Sequence, residues 1–136
     1  MRRALCLLAA LNLIVFISHV EAQQPRDVSI VQLIASPQQF HGAKVRIIGF
    51  VRLEFEGNSI FLHQDDYKYA ISKNGLWLSI TDEIRKNEKT YSGKYVLVEG
   101  TFDARDLGHM SLFSGAIKNI TRFQVWAEVK SVVENK

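Results

Sequence analysis

Glu54 and Glu56, followed by His63, Asp65 and Asp66, crowd five acidic or imidazole side chains into thirteen residues. Hard oxygen donors at that density could hold a divalent cation, and the imidazole would bias such a site away from calcium. The spacing matches no recognised ligand pattern, neither a DxDxDG run nor an HExxH helix. A solvated acidic loop is the commoner role of such a stretch. Ser59, Ser79, Ser111 and Ser114, with His41, His63 and His109, supply hydroxyls and bases, but none lies in a GxSxG elbow. Arg46, Arg52 and Glu54 faintly echo the acids and arginines of a phosphoryl-transfer site. On a water-facing strand that alternation more often makes cross-strand ion pairs. His109, beside Asp103, Arg105, Asp106 and Gly108, reads as a tight polar turn.

The whole chain has 136 residues, 47% apolar, 23% charged and 10% aromatic, which suits one domain and excludes collagen, coiled coil or disorder. Arg2-Arg3, the almost uncharged run from Ala4 to Val20, and small Val20 and Ala22 before Gln23 form a signal-peptide pattern over residues 1–22. An uncleaved anchor is the alternative, weakened by Asn12, Ser18 and His19. The only thiol, Cys6, precedes most of the apolar run, so no lipid anchor is expected. The mature chain then has no disulfide, no thiol nucleophile and no cysteine-bound zinc. These features predict a periplasmic or secreted protein that touches membrane only through its signal peptide before cleavage. With Arg2, Arg3 and Glu21 set aside, 15 basic and 13 acidic residues remain, about +2 net. That is too little charge for a duplex nucleic-acid footprint.

The elements that must position these residues follow from periodicity. Gln23 to Asp27 is a polar lead, expected to be mobile, and Asp27 or Ser29 caps a short helix over Ile30 to Ala35. Pro37 stops that helix or restarts a turn through Phe40. After Gly42 the period becomes two, with Val45, Ile47, Val51, Leu53 and Phe55 on one face of a first strand of about a dozen residues, bent at Gly49. Ile60 to His63 and Leu76 to Ile80 give the second and third strands, separated by a loop or helical turn over Asp65 to Ser72. Thr81 starts a helix reaching about Tyr91, Lys94 to Phe102 is the fourth strand, and a fifth runs from about Met110 to Phe123, broken near Gly115. The sequon Asn119-Ile120-Thr121 falls inside this last strand. The tail from residue 124 stays unassigned.

One spacing recurs. Phe40, Gly42, Val45, Ile47 and Gly49 return as Tyr91, Gly93, Val96, Val98 and Gly100. Two copies are too few for a solenoid; they describe one junction used twice, a helix end, a glycine turn and entry into a bent strand. The element order, with a helix between strands three and four, resembles the OB fold. That implies a mainly β domain, a five-stranded Greek-key barrel over residues 40–123 with a leading helix in 23–39. The run from Phe40 to Gly49 is similar to the first strand of bacterial OB domains. Glu54-Phe55-Glu56-Gly57-Asn58 and Lys73-Asn74-Gly75-Leu76-Trp77-Leu78 are similar to an exported bacterial family of no established activity. The Asp-Asp-x-Val opening of the stress-induced periplasmic OB family is missing.

If odd residues of the first strand face the core, Phe50 and Arg52 point outward, as do Phe61, His63 and Trp77 on the next two strands. Those five residues are the expected ligand-binding set, with rings able to stack on a base, a sugar or a protein side chain. The alternative is that the leading helix or the Asp65–Ser72 loop covers the rings. The expected function is an exported binding module for a protein, an oligosaccharide or a nucleotide-bearing molecule, with no cofactor. A small metal-dependent hydrolase using His63, Asp65, Asp66, Glu54 and Glu56 is one alternative. An inhibitor or immunity-type protein is the other.

Overall fold

In the computed structural model, which describes residues 23–127, Ser29 caps the first helix from both directions. Its Oγ accepts from the Gln32 N–H (3.2 Å), and the Gln32 side chain accepts from the Ser29 N–H (2.8 Å). The signal peptide expected over 1–22 and the tail segment 128–136 lie outside the described residues. The helix, α1 (Ile30–Ala35), turns Ile30 and Leu33 fully inward. Pro37 then opens α2 (Pro37–Phe40), whose Phe40 closes the same end of the core.

The strands are β1 (Arg26–Asp27), β2 (Lys44–Arg52), β3 (Ser59–Phe61), β4 (Gly75–Leu78), β5 (Lys94–Asp103) and β6 (Ala116–Val125). Five of them close in the order β2-β3-β4-β6-β5-β2, a mixed barrel of the OB-like kind. β2 serves two neighbours, pairing with β5 from Lys44 to Val51 and with β3 from Phe50 to Arg52. The seam between β4 and β6 is parallel and only two residue pairs long, Trp77 opposite Ala116 and Leu78 opposite Ile117. Three short helices complete the described chain: α3 (Gln64–Lys68), α4 (Asp82–Lys86) and α5 (Glu88–Tyr91). The core is the inward set Val45, Ile47, Val51, Ile60, Leu76, Leu78, Val96, Val98, Phe102 and Ile117. Among the described residues no helix is long and apolar enough to cross a membrane.

The recurring spacing is a two-fold pairing. β2 and β5 run antiparallel with Val45 opposite Gly100, Ile47 opposite Val98, and Gly49 opposite Val96. Gly42 (φ +79°) donates its N–H to Phe102 O, and Gly93 (φ +80°) donates to Val51 O, both at 2.8 Å. Both glycines occupy the left-handed region that a side chain disfavours. His41 Nδ1 accepts from the Ala104 N–H and Ser92 Oγ from the Leu53 N–H, so residues 51 positions apart do the same task. Arg46 and Glu99 face each other across this ladder and make the ion pair expected of that alternation, Nε to Oε1 2.7 Å.

Four expectations change. The lead is ordered in part: β1 pairs parallel with β2, and Asp27 meets the Arg46 guanidinium at 3.1 Å. The first strand ends at Arg52, not near Glu56, so Phe55 lies on a turn and is 88% exposed instead of inward. The helix expected from Thr81 to Tyr91 breaks at Asn87, whose amide donates to Glu83 O. The last strand begins at Ala116, after a 3₁₀ turn at His109–Ser111, and reaches Val125, with Trp126 N–H donating to Tyr95 O. Asn119 to Thr121 lie together opposite Gly100 in a bulge of this strand, with Asn119 at φ +48°.

A Cβ at Gly49 would stand 2.5 Å from Phe61 O and 2.7 Å from both Ile30 Cδ1 and Ile60 Cγ1. Gly42 has open space, and only its φ opposes a side chain. Gly49→Ala is therefore expected to cost about 2–3 kcal/mol by overpacking, and Gly42→Ala about 1–2 kcal/mol, with urea unfolding as the measurement.

Candidate functional site

Two rows of outward residues cross β2, β3 and β4: Phe50, Phe61 and Gly75 in one, Arg52, Ser59 and Trp77 in the other. The outward direction is as expected. The rings are not an open platform, because Phe50 and Phe61 are only 4% and 3% exposed. Tyr67 from α3 lies 6.3 Å from Phe50 and 6.0 Å from Phe61, and Tyr95 of β5 flanks Phe50 at 5.9 Å. Phe113, from the loop between β5 and β6, lies 6.2 Å from Phe61 and 5.7 Å from Trp77. Gly75 leaves room for the Phe61 ring, whose Cε1 would sit 2.6 Å from an added Cβ. The covered alternative thus holds for these two rings, and the Asp65–Ser72 loop supplies part of the cover through Tyr67.

Arg52 stacks its guanidinium over Tyr67 at 4.6 Å and reaches Glu54 Oε2 at 3.4 Å, while the Tyr67 hydroxyl donates to that same oxygen. His63 is not on β3, which ends at Phe61; it heads α3, exposed, and its N–H donates to the Asp66 carboxylate. Asp66 also accepts from the Asn74 amide at 2.8 Å, so its oxygens hold a loop together. Among the described residues, no three His, Cys, Asp or Glu side chains gather as metal ligands. The set proposed from sequence is therefore joined through Tyr67 and Phe113 for Phe50, Arg52, Phe61 and Trp77.

Open space lies beside this face, between the turn after β2 and the loop after β5. A cleft of about 490 Å³ is lined by Phe55, Glu56, Asn58, half-buried Trp77, Arg85 and His109, with Asp106 and Gly108 completing it. A second, about 170 Å³, adjoins it between Glu54, Tyr67, Ala70 and Leu112. Glu56 and His109 line both, with Oε2 and Nε2 3.9 Å apart.

The loop after β5 is fixed at both ends. Asp103 Oδ1 accepts from the N–H groups of Arg105 and Asp106, and Lys118 Nζ bridges Asp103 and Asp106 at 3.0 and 2.8 Å. Asp106 in turn accepts from the Gly108 N–H, and Gly108 lies against the Trp77 side chain so closely that an added Cβ would be 2.7 Å from Trp77 Cβ and 2.8–2.9 Å from its ring. Lys73 Nζ donates to Ser111 O and Phe113 O from the other side. The Arg105 N–H and then Lys118 hold the Asp103 carboxyl down at about 2, and Lys118 foremost lowers Asp106.

Backbone strain collects in the same place. Of the five described non-glycine residues with positive φ, Glu56, Ala70, Met110 and Ser111 lie in the three segments around these clefts. Such conformations cost on the order of 1 kcal/mol or more each and cluster at functional sites. Exposed apolar side chains collect there as well: Phe55, Tyr69, Ile71, Met110 and Leu112. Sequence reasoning read His109 as part of a tight polar turn, and it missed Tyr67, Phe113 and Asn58. The motif Phe55-Glu56-Gly57, a polar turn with one bare ring, was the available signal.

No family model matches the chain, and no curated protein matches it. Among solved structures it is similar to part of an aspartyl-tRNA synthetase crystal structure from Leishmania major Friedlin, at TM-score 0.47 and 10% identity. That match covers 84% of this chain and 23% of the other, so the chain spans under a quarter of that protein's length.

The Asp103 carboxyl, lowered from 3.8 to about 2, stabilises the folded state above its unfolded value, and that stability is lost as pH falls toward 2. Lys118→Met is expected to lower stability at neutral pH and to flatten the loss between about pH 4 and pH 2, read by thermal unfolding across that range.

Proposed function

We propose that this chain is an exported OB-fold binding module that takes its ligand in the cleft between the Glu54–Asn58 turn and the Asp103–Gly115 loop. One observation carries the reading: three loop segments bring four left-handed, non-glycine backbones and a bare Phe55 ring around the same two clefts. A fold that tolerates this strain, while Lys118, Lys73 and Gly108 lock the loops in place, holds a shape prepared in advance. The cleft volume lies within the 300–1,000 Å³ range of small-ligand sites. Export is supported by the residue 1–22 pattern and by the similarity of the Glu54–Asn58 and Lys73–Leu78 segments to an exported bacterial family. Absence of a cysteine after Ala22 suits a soluble fate in periplasm or medium.

Titration of the purified, ¹⁵N-labelled protein with nucleosides, dipeptides and saccharides is expected to move amide signals of residues 54–58, 77 and 104–113. Phe55→Ala should weaken the responding ligand about fivefold, the size of one lost aromatic contact. A response centred on the α1 groove of Val31, Ile34 and Leu62, or no response, overturns the reading. The mass of the exported protein is expected to correspond to a chain starting at Gln23; a chain retaining Met1 refutes cleavage.

A further inference from the structure

We infer that the occupant of the larger cleft is a neutral saccharide, its hydroxyls read by Glu56 and His109 and one ring face covered by Phe55; this rests on the binding reading above. The Glu56 and His109 atoms face each other at 3.9 Å, too far to hydrogen bond directly. One oxygen set to the side of the line that joins them can lie at hydrogen-bond distance from both. A hydroxyl donates and accepts at once, so it satisfies a carboxylate on one side and an imidazole N–H on the other.

Charge narrows the class further. Lys118 is shared between Asp103 and Asp106, which leaves that pair one net negative charge, and Arg85 makes no ion pair among the described residues. The cleft therefore offers the Glu56 carboxylate, the residual negative charge of the Asp103–Asp106 pair behind it, and one guanidinium, Arg85. A phosphate would meet Glu56, a polyamine would meet Arg85, and a single-stranded nucleic acid would find no basic track for its backbone. An uncharged polyhydroxyl meets neither objection and uses both groups.

Two further features fit that occupant. Asn58 is 5% exposed at the cleft, and its Oδ1 has no donor among the described residues, so a polar partner is wanting beside this wall. Phe55, 88% exposed at the lip, offers a ring to the C–H face of a pyranose. Glu56 itself sits at φ +54° in the turn closed by Gly57 N–H to Glu54 O, a position glycine would take more easily. Its carboxylate is held there against backbone preference, which is intelligible if the carboxylate is needed.

The test titrates the purified protein with chitotetraose, maltotetraose and cellotetraose, and in parallel with dT4, spermidine and inorganic phosphate, following amide signals and heat. At least one neutral tetrasaccharide is expected to saturate shifts at Glu56, Asn58, Gly108 and His109. Glu56→Gln and His109→Gln should each weaken it about tenfold. Glu56→Gly should abolish it while the melting temperature stays level or rises, which separates lost recognition from lost fold. If the three saccharides give nothing while dT4, spermidine or phosphate shifts those amides, the saccharide inference falls and the cleft remains a binding site. If no probe moves them, the saccharide inference falls, and silence from the nucleosides and dipeptides as well refutes the cleft as a binding site.

Discussion

The antiparallel register of β2 on β5 is the constraint on which the rest of the molecule depends. Its two ends are built alike: a left-handed glycine donates across the ladder, and a side chain one residue earlier accepts from the departing strand. At one end Gly93 and Ser92 grip Val51 and Leu53, the root of the Glu54–Asn58 turn. At the other Gly42 and His41 grip Phe102 and Ala104, the root of the loop after β5. Each lip of the cleft therefore springs from a clamped strand end. The helices α2 and α5, which deliver the two glycines, thus act on the site without touching it.

The aromatic side chains outside the barrel share this role. Phe50, Phe61 and Trp77 have the alternation of a binding platform, yet they are where Tyr67 and Phe113 seat the surrounding loops. Burial of such rings removes a large apolar area from water and fixes the loops to a rigid sheet. The rings thus support the cleft from beneath, while the loops and α4 line it with a carboxylate, an imidazole, a guanidinium and one bare phenyl group.

Much of the barrel was legible in the sequence because its signals are local. Ser29 with Gln32 marks a helix start, and Val45, Ile47 and Val51, at even spacings, set an inner face. The recurring spacing even showed the two-fold junction, although not that its copies pair with each other. What stayed hidden depends on distant partners. Phe55 continues the alternation, but the strand stops when β3 and Ser92 take over its hydrogen bonding at Arg52 and Leu53. Tyr67 lies in an acidic stretch that suggests metal chemistry, and only the fold shows its ring turned onto Phe50 and Phe61. The β1 pairing rests on Asp27 and Arg46, separated by 19 residues, beyond what periodicity reports.

The parallel closure between β4 and β6 is the shortest strand contact in the cylinder, two pairs long, and Trp77 is one of the four residues in it. The same indole forms a wall of the cleft and lies under Gly108. Occupancy and closure are consequently coupled quantities. Anything bound beside Trp77 would brace the shortest seam of the barrel, and a barrel that gapes there would lose one wall of the cleft. On the binding reading proposed above, a filled cleft would register as a stiffer barrel and an empty one as a looser seam.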